Sequence, residues 1–394
     1  MEQINTVYIL GDKIKERNYD GIVLSEEDFH PCVPFFYSHG SIRPESIKRI
    51  VIKGVLEQFD YIRCLFRYCD YMLSVGGVLS IEFFNKYVDG NSPALRGRGE
   101  WLSELSLVFR ERILMTLNDA SSDKGFFQFE KTQSFLPPGD TIDRWSFGIV
   151  SNGSKNERIL EIIKRIESFK IPEFEIIICG PPPSLTLPPY VRVISDDGLY
   201  KDIRIPISKK KNLIIKNAQY NNLIVMHDRI MLSKDWFQRM KQYGNYYDIL
   251  CCMILNEDEP NRRMNDWLQV SYPPIRVNSI RNLLYRRNIL NYNEWTSNIY
   301  IAGGFFQIKK HFGLYLDPAL NWLEKEDVNF SVKAYLAGAL FEFNPFNEIY
   351  SLPAGFKGSE KIKTSLFYRI NAVVHNIIRY YIDNKQFSRY LKRD

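Results

Sequence analysis

The sequence predicts an α/β protein built on doubly wound, mostly parallel sheets, and three observations carry that expectation. β-rich runs alternate with helical stretches along most of the chain, as strands joined by crossover helices do. In the second half, each run stops abruptly at Gly/Pro or polar punctuation, and the right-handed crossover rule makes such strands parallel. Hydrophobic residues make up 45% and charged residues 25% of the 394 positions, a balance that favours a packed core over disorder.

The first strands and helices are read as follows. Tyr19 to Leu24 follows a turn as a strand, and Ile47 to Ile52 is a second β-rich run. Val55 to Leu73 has helical periodicity, with Leu56, Phe59, Ile62, Phe66 and Met72 near one face. Val75-Gly76-Gly77 punctuates before a strand at Val78 to Phe84. Trp101 to Leu117 reads as a second amphipathic helix, and Phe126 to Phe135 alternates like a strand. Leu136-Pro137-Pro138-Gly139-Asp140 then marks a linker or sharp turn. A domain boundary is expected there, giving regions 1–138 and 139–355 and a tail, 356–394.

In the second region, strands are expected at Phe147 to Ser151, Phe174 to Cys179, Val191 to Ile194 and Leu223 to Met226. Asn156 to Phe169 is an amphipathic helix with Ile159, Ile162, Ile163 and Ile166 inward, and another helix begins near Lys211. A late helix stopped by Gly338 leads to a strand at Leu340 to Phe343. In the tail, Leu366, Ile370, Val373, Ile377 and Tyr381 share one helical face.

The tail holds nine Lys or Arg against three Asp or Glu, an excess equal to the net charge of +6 on the whole chain. The body is therefore near neutral, which argues against a nucleic-acid binder and for one local basic surface. A basic amphipathic helix fits an anionic membrane surface, or a helix packed back on the body with its charged face solvated. No run approaches a membrane-spanning length, and the N-terminus lacks signal-peptide character. The six cysteines include no Cys-x-x-Cys pair, so a reducing cytoplasmic setting, extending to the inner face of the plasma membrane, is expected.

Two stretches resemble known families. Gly54-Val55-Leu56-Glu57-Gln58-Phe59, a helix, and Leu73-Ser74-Val75-Gly76-Gly77-Val78-Leu79-Ser80-Ile81 resemble the C-terminal half of a class I, S-adenosylmethionine-dependent methyltransferase. No Gly-x-Gly loop is present to approach the cofactor. The expectation is a truncated relative that binds no S-adenosylmethionine, with a plain α/β scaffold as the alternative.

The second region, with Asn221-Asn222-Leu223-Ile224-Val225-Met226-His227-Asp228-Arg229, Ile301-Ala302-Gly303-Gly304-Phe305-Phe306 and Trp322-Leu323-Glu324-Lys325-Glu326-Asp327, resembles a nucleotide-sugar-dependent glycosyltransferase of the GT-A fold, of the large inverting family. The resemblance implies a GT-A catalytic domain at 139–355 that moves a sugar from a nucleoside-diphosphate sugar to a glycan or lipid-linked acceptor. It puts Ser151, Asn152 and Asp196 at the nucleotide, although a strand-to-helix loop with Asn152 or Ser154 as the helix cap, and turn chemistry at Asp196-Asp197, explain these residues equally well. Lys211 beside Asn212 would help neutralise the diphosphate.

His227-Asp228-Arg229 stands where the family has Asp-x-Asp, so one carboxylate remains. A carboxylate at the end of a buried strand is where open α/β sheets place ligand chemistry. Asp228, with His227, can hold Mn²⁺ or Mg²⁺, or Arg229 can replace the metal's charge by pairing with phosphate bidentately. A plain Asp228–Arg229 salt bridge is the structural alternative. Gly303 and Gly304 let the backbone approach the acceptor sugar, with Trp322 beside it. Asp327 maps to the general base that removes the acceptor's proton, with Glu326 positioning the acceptor and Glu324 in reserve. His311 and His375 are weaker candidates as a late metal ligand. Two competing functions stand beside this one: a methyltransferase acting on a glycan, and a non-catalytic sugar-binding or assembly protein.

Overall fold

The computed structural model describes residues 5–11, 19–54, 56, 61–84, 98–120, 124–183, 186–200, 206–260, 263–264, 266–269, 288–320 and 326–352. The tail at 356–394, with its amphipathic helix and His375, lies outside these residues. So do Trp322 and Glu324.

Two large sheets organise the chain. The N-terminal sheet has six strands in the order β2-β1-β3-β4-β6-β5. β1 (Thr6–Leu10), β2 (Ile22–Leu24), β3 (Ile47–Lys53) and β4 (Leu73–Phe84) are parallel. β5 (Ile113–Ala120) and β6 (Lys124–Lys131) close the sheet, with β6 antiparallel to both β4 and β5. α2 (Ile62–Met72) is buried along its whole length, while α1 (Phe35–Ser38) is a single turn.

Two local expectations fail here. Gly76-Gly77 is not a turn before the strand but sits within β4, where the pairing with β3 shifts register between Leu73 and Val78. Gly76 takes φ +76° there, a conformation other residues rarely adopt. The helix expected to reach Leu117 stops early: α3 covers Arg98–Phe109 and a short 3₁₀ turn follows. Arg110 takes φ 53° and donates to the Ala337 carbonyl (2.9 Å). After this left-handed residue the chain extends as β5, which exposes Leu114, Met115 and Leu117 at the sheet edge.

The second sheet has eight strands in the order β11-β17-β12-β16-β10-β7-β8-β9. Its parallel half contains β7 (Arg144–Val150), β8 (Glu173–Cys179), β9 (Val191–Ile194) and β10 (Asn222–His227), as the crossover rule required. β11 (Ile230–Leu232), β12 (Ile249–Asn256), β16 (Phe305–Lys309) and β17 (Phe341–Ser351) form the mixed half. A small third sheet joins β13 (Leu268–Gln269), β14 (Asn288–Ile289) and β15 (Ile299–Tyr300).

Side-chain alternation makes this sheet two-faced. Phe147, Ile149, Ile176, Ile178, Ile224 and Met226 point into one core, against Ile159, Ile162 and Ile166 of α4 (Asn156–Ser168) and Trp236 and Met240 of α6 (Trp236–Tyr243). Val150, Ile177, Cys179, Leu223 and Val225 point into the other, with Ile214 and Ile215 of α5 (Ile207–Asn217) and Phe330 and Ala334 of α7 (Glu326–Leu336). That second core runs on without a break into the N-terminal sheet and α2. Buried charge pairs cross the same junction. Arg67 Nε lies 2.9 Å from Asp248 Oδ2 with both side chains fully buried, and the Tyr71 hydroxyl donates to Asp248 Oδ1 (2.9 Å).

Candidate active site

Parallel strands β7, β8, β9 and β10 end at the same sheet edge, and ligand chemistry in such sheets gathers outside those ends. Ser151 follows β7. Its Oγ donates to Asp228 Oδ2 (3.0 Å) and accepts from the Gly153 N–H (3.0 Å). Asn152 is exposed, and its Oδ1 accepts from the Ser154 N–H (3.0 Å) and Oγ (2.6 Å). It shapes a local turn and does not cap α4, whose preceding residue is Lys155.

Asp196, after β9, is buried and accepts from the Tyr200 hydroxyl (2.9 Å). Lys210 makes an ion pair with it and also donates to the Ser151 carbonyl (2.9 Å). Burial alone would raise the Asp196 carboxyl, but the hydrogen bonds from Lys210 and Tyr200 outweigh it and hold it below the usual value. Asp197 is exposed and takes up the turn, its N–H donating to Ser195 Oγ (3.1 Å).

β10 carries His227 to the sheet edge, followed by Asp228 and Arg229. The Asp228 N–H donates to the Val150 carbonyl (3.1 Å), which locks the strand end against β7. Asp228 Oδ1 faces Lys155 Nζ at 3.9 Å. Arg229 makes no ion pair among the described residues, and its Nε is buried without a hydrogen-bond partner. Burial pulls its guanidinium below the ordinary value, opposed by the charge of Asp228. His227 Nε2 is also buried and unpartnered. Burial pushes this imidazole well below its usual range, and Lys211, Arg229 and Lys155 add to the effect, so it is neutral near pH 7.

The second acidic cluster opens α7. Glu326 is buried, and its Oε1 lies 3.1 Å from Lys211 Nζ, itself fully buried. Burial raises the Glu326 carboxyl, Lys211 opposes the rise, and Asp327 adds to it. Asp327 is half-buried. It accepts from the Gly303 N–H (3.3 Å) and from its own helix at the Val328 N–H (2.9 Å).

Gly303 and Gly304 bring the two clusters together. The Gly304 carbonyl accepts from the His227 N–H (3.0 Å). A Cβ on Gly304 would lie 3.0 Å from Arg229 Nη2, and a Cβ on Gly303 would lie 3.1 Å from both Asp327 Oδ2 and Glu326 Oε1. Side chains at these two positions would crowd the charged groups on either side, so glycine permits the approach.

Charge pairing sorts the groups. Lys210 answers Asp196, Lys211 answers Glu326, and Lys155 stands near Asp228. Among the described residues, Arg229 is left without an ion-pair anion and Asp327 without an ion-pair cation. Lys211, expected at the diphosphate, instead joins α5 to Glu326. Asn212 spends both ends of its amide on the backbone of Leu316 (2.8 Å each). His311 is placed against a metal role. It accompanies Asn221 (3.1 Å), at the opposite end of β10 from His227, and burial pushes it to about 3.

A divalent cation fits these residues poorly. Among the described residues no three His, Cys, Asp or Glu side chains converge as a metal cluster. Asp228 is the one carboxylate in the triplet, already hydrogen-bonded by Ser151 and faced by Lys155. Mg²⁺ takes six oxygen ligands, of which the protein would supply this one carboxylate and water and donor phosphates the rest. A dication about 4 Å from a single positive charge is repelled by about 8 kcal/mol at an effective dielectric of about 20, about what the one carboxylate of Asp228 returns at the same distance; Lys155 lies 3.9 Å from that carboxylate and Arg229 is near enough to feel its charge, so two cations oppose one anion.

No family model and no curated protein sequence matches this chain. Among solved structures, S. aureus TarS 1–349 in complex with UDP-GlcNAc is 13% identical over 64% of this chain and 72% of its own, with a TM-score of 0.36. The structure of S. aureus TarS 1–349 gives 12% identity over 53% of this chain and a TM-score of 0.36, and this chain spans 60% of its length. The mannosyltransferase PcManGT from Pyrobaculum calidifontis, in complex with GDP-Man and Mn²⁺, is 10% identical over 60% of this chain and 64% of its own, with a TM-score of 0.37. The UDP-GlcNAc complex of TarS and the GDP-Man complex of PcManGT are solved with nucleotide sugars.

Proposed function

We propose that this chain transfers a glycosyl group from a nucleoside-diphosphate sugar to a hydroxyl of a glycan or lipid-linked acceptor, in the synthesis of a surface polysaccharide. The observation that carries the reading is the charge left over on either side of Gly303-Gly304: among the described residues, a guanidinium at Arg229 without an ion-pair anion and a carboxylate at Asp327 without an ion-pair cation. A leaving diphosphate needs the first, and an attacking alcohol needs the second.

In this mechanism the acceptor oxygen attacks the anomeric carbon from the face opposite the diphosphate. Asp327 takes the acceptor's proton as the new C–O bond forms. The bond from the anomeric carbon to the phosphate oxygen breaks, and the nucleoside diphosphate departs with the electron pair, inverting the anomeric centre. Glu326, held by Lys211, orients the acceptor with Gly303 and Trp322. Ser151, Asn152 and Asp196 face the nucleoside, with Lys210 fixing Asp196.

The N-terminal sheet serves as a methyltransferase-like scaffold without methyl transfer, welded to the catalytic sheet through Arg67 and Asp248. No helix among the described residues is long and apolar enough to cross a membrane; the basic tail is assigned to the inner face of the plasma membrane, where a lipid-linked acceptor is met. The test is release of nucleoside diphosphate from UDP-, GDP- and dTDP-sugars, with a CMP-sugar as the monophosphate control. Release from one diphosphate donor supports the reading. Release from none, with tight S-adenosylmethionine binding in its place, would return the chain to the methyltransferase class.

A further inference from the structure

We infer that the donor's diphosphate is held by protein cations, Arg229 bidentately and Lys155 beside it, in place of a bridging divalent metal. This deepens the donor reading above and rests on it. Three features of the strand end carry the inference. Arg229 is the last member of the triplet, and its Nη2 is turned toward Gly304, at the junction with the second acidic cluster. Its Nε is buried and unpartnered, the residue is half-buried, and no carboxylate pairs with the guanidinium among the described residues. Such a group awaits an acceptor, and phosphate oxygens match its fork.

The role left to Asp228 follows from its contacts. Its carboxylate accepts from Ser151 and faces Lys155. It thereby sets the lysine and the β7 strand end and balances part of the positive charge when no donor is bound. A dication seated on the same carboxylate would have to displace Lys155 and tolerate Arg229 next in sequence. His227 does not restore a ligand set: its Nε2 is buried, and the ring feels the charges of Lys211, Arg229 and Lys155. Asp228 acts here as a positioning residue.

The experiment is calorimetric titration of the full chain with UDP and with GDP, in EDTA and again in MnCl₂, and with UMP and GMP as monophosphate controls. The inference predicts that the better nucleoside diphosphate binds with the same affinity, within about twofold, in both buffers. Arg229→Lys, which keeps charge but loses the fork, weakens it about tenfold, and Arg229→Ala weakens it about 30-fold, while monophosphate binding changes little. Lys155→Ala, at a half-exposed position, gives a smaller loss and guards against a folding artefact, with circular-dichroism melting as the check on all variants. Binding that appears only with Mn²⁺ overturns the inference and leaves the donor reading intact. Metal-free binding that survives Arg229→Ala unchanged also overturns it. Failure of UDP and GDP to bind in either buffer, with no nucleoside diphosphate released from UDP-, GDP- or dTDP-sugars, removes the donor reading itself, and the inference with it.

Discussion

Lys211 and Glu326, from α5 and α7, meet as a buried ion pair at 3.1 Å. The pair ties the helix that follows β9 to the helix that bears the carboxylates, and it leaves Asp327, one residue on, without an ion-pair cation among the described residues.

Breaking this pair leaves a buried charge uncompensated. Lys211→Met is expected to destabilise the fold by about 3 kcal/mol in chemical denaturation, and Lys211→Met with Glu326→Leu to recover much of that loss. Nucleoside-diphosphate affinity in Lys211→Met should stay within about threefold of wild type. A loss on the scale of Arg229→Ala would return Lys211 to the diphosphate.

The two glycines separate two readouts. Gly304→Ala puts a methyl 3.0 Å from Arg229 Nη2, so donor affinity should fall about tenfold as the guanidinium shifts. Gly303→Ala crowds Asp327 and Glu326 at 3.1 Å, so kcat should fall with donor affinity retained. Titration and steady-state kinetics on both variants check the split.

Much of this arrangement was legible in the sequence, because the signals are local. The apolar run before His227-Asp228-Arg229 announces a strand end, and Glu326-Asp327 announces an acidic helix start. The strands at Val191–Ile194 and Glu173–Cys179 fall where the punctuation put them. What escaped was pairing between distant segments. Three adjacent lysines gave no sign that Lys210 would reach Asp196 and Lys211 would reach Glu326, nor that Lys155 would face Asp228. β5 was missed because Ile113, Leu114 and Leu117 fit a helical period as well as a strand; the left-handed Arg110 decides the matter through a tertiary contact to Ala337.

A buried carboxyl outside the site gives a pH prediction. Glu342 accepts from the hydroxyls of Tyr68 and Tyr243 (3.2 Å each). Burial, with the charge of Asp248 adding to it, raises its carboxyl to about 8. A raised carboxyl binds its proton more tightly folded than unfolded, so the contribution is fully present below about 4.5 and is lost as pH rises toward about 8. Wild type should therefore lose stability relative to Glu342→Gln across that window, by up to about 1.4 kcal/mol per pH unit. Urea denaturation of both proteins at pH 5, 6.5 and 8 measures the difference.

The central claim is that the carboxylate beyond Gly303 works on an acceptor while the cations beyond Gly304 hold the donor. The most direct measurement is Asp327→Asn, assayed in parallel for nucleoside-diphosphate binding and for glycosyl transfer. The account predicts unchanged binding and transfer reduced by at least about 10²-fold. Transfer at the wild-type rate, or binding lost together with transfer, would contradict it.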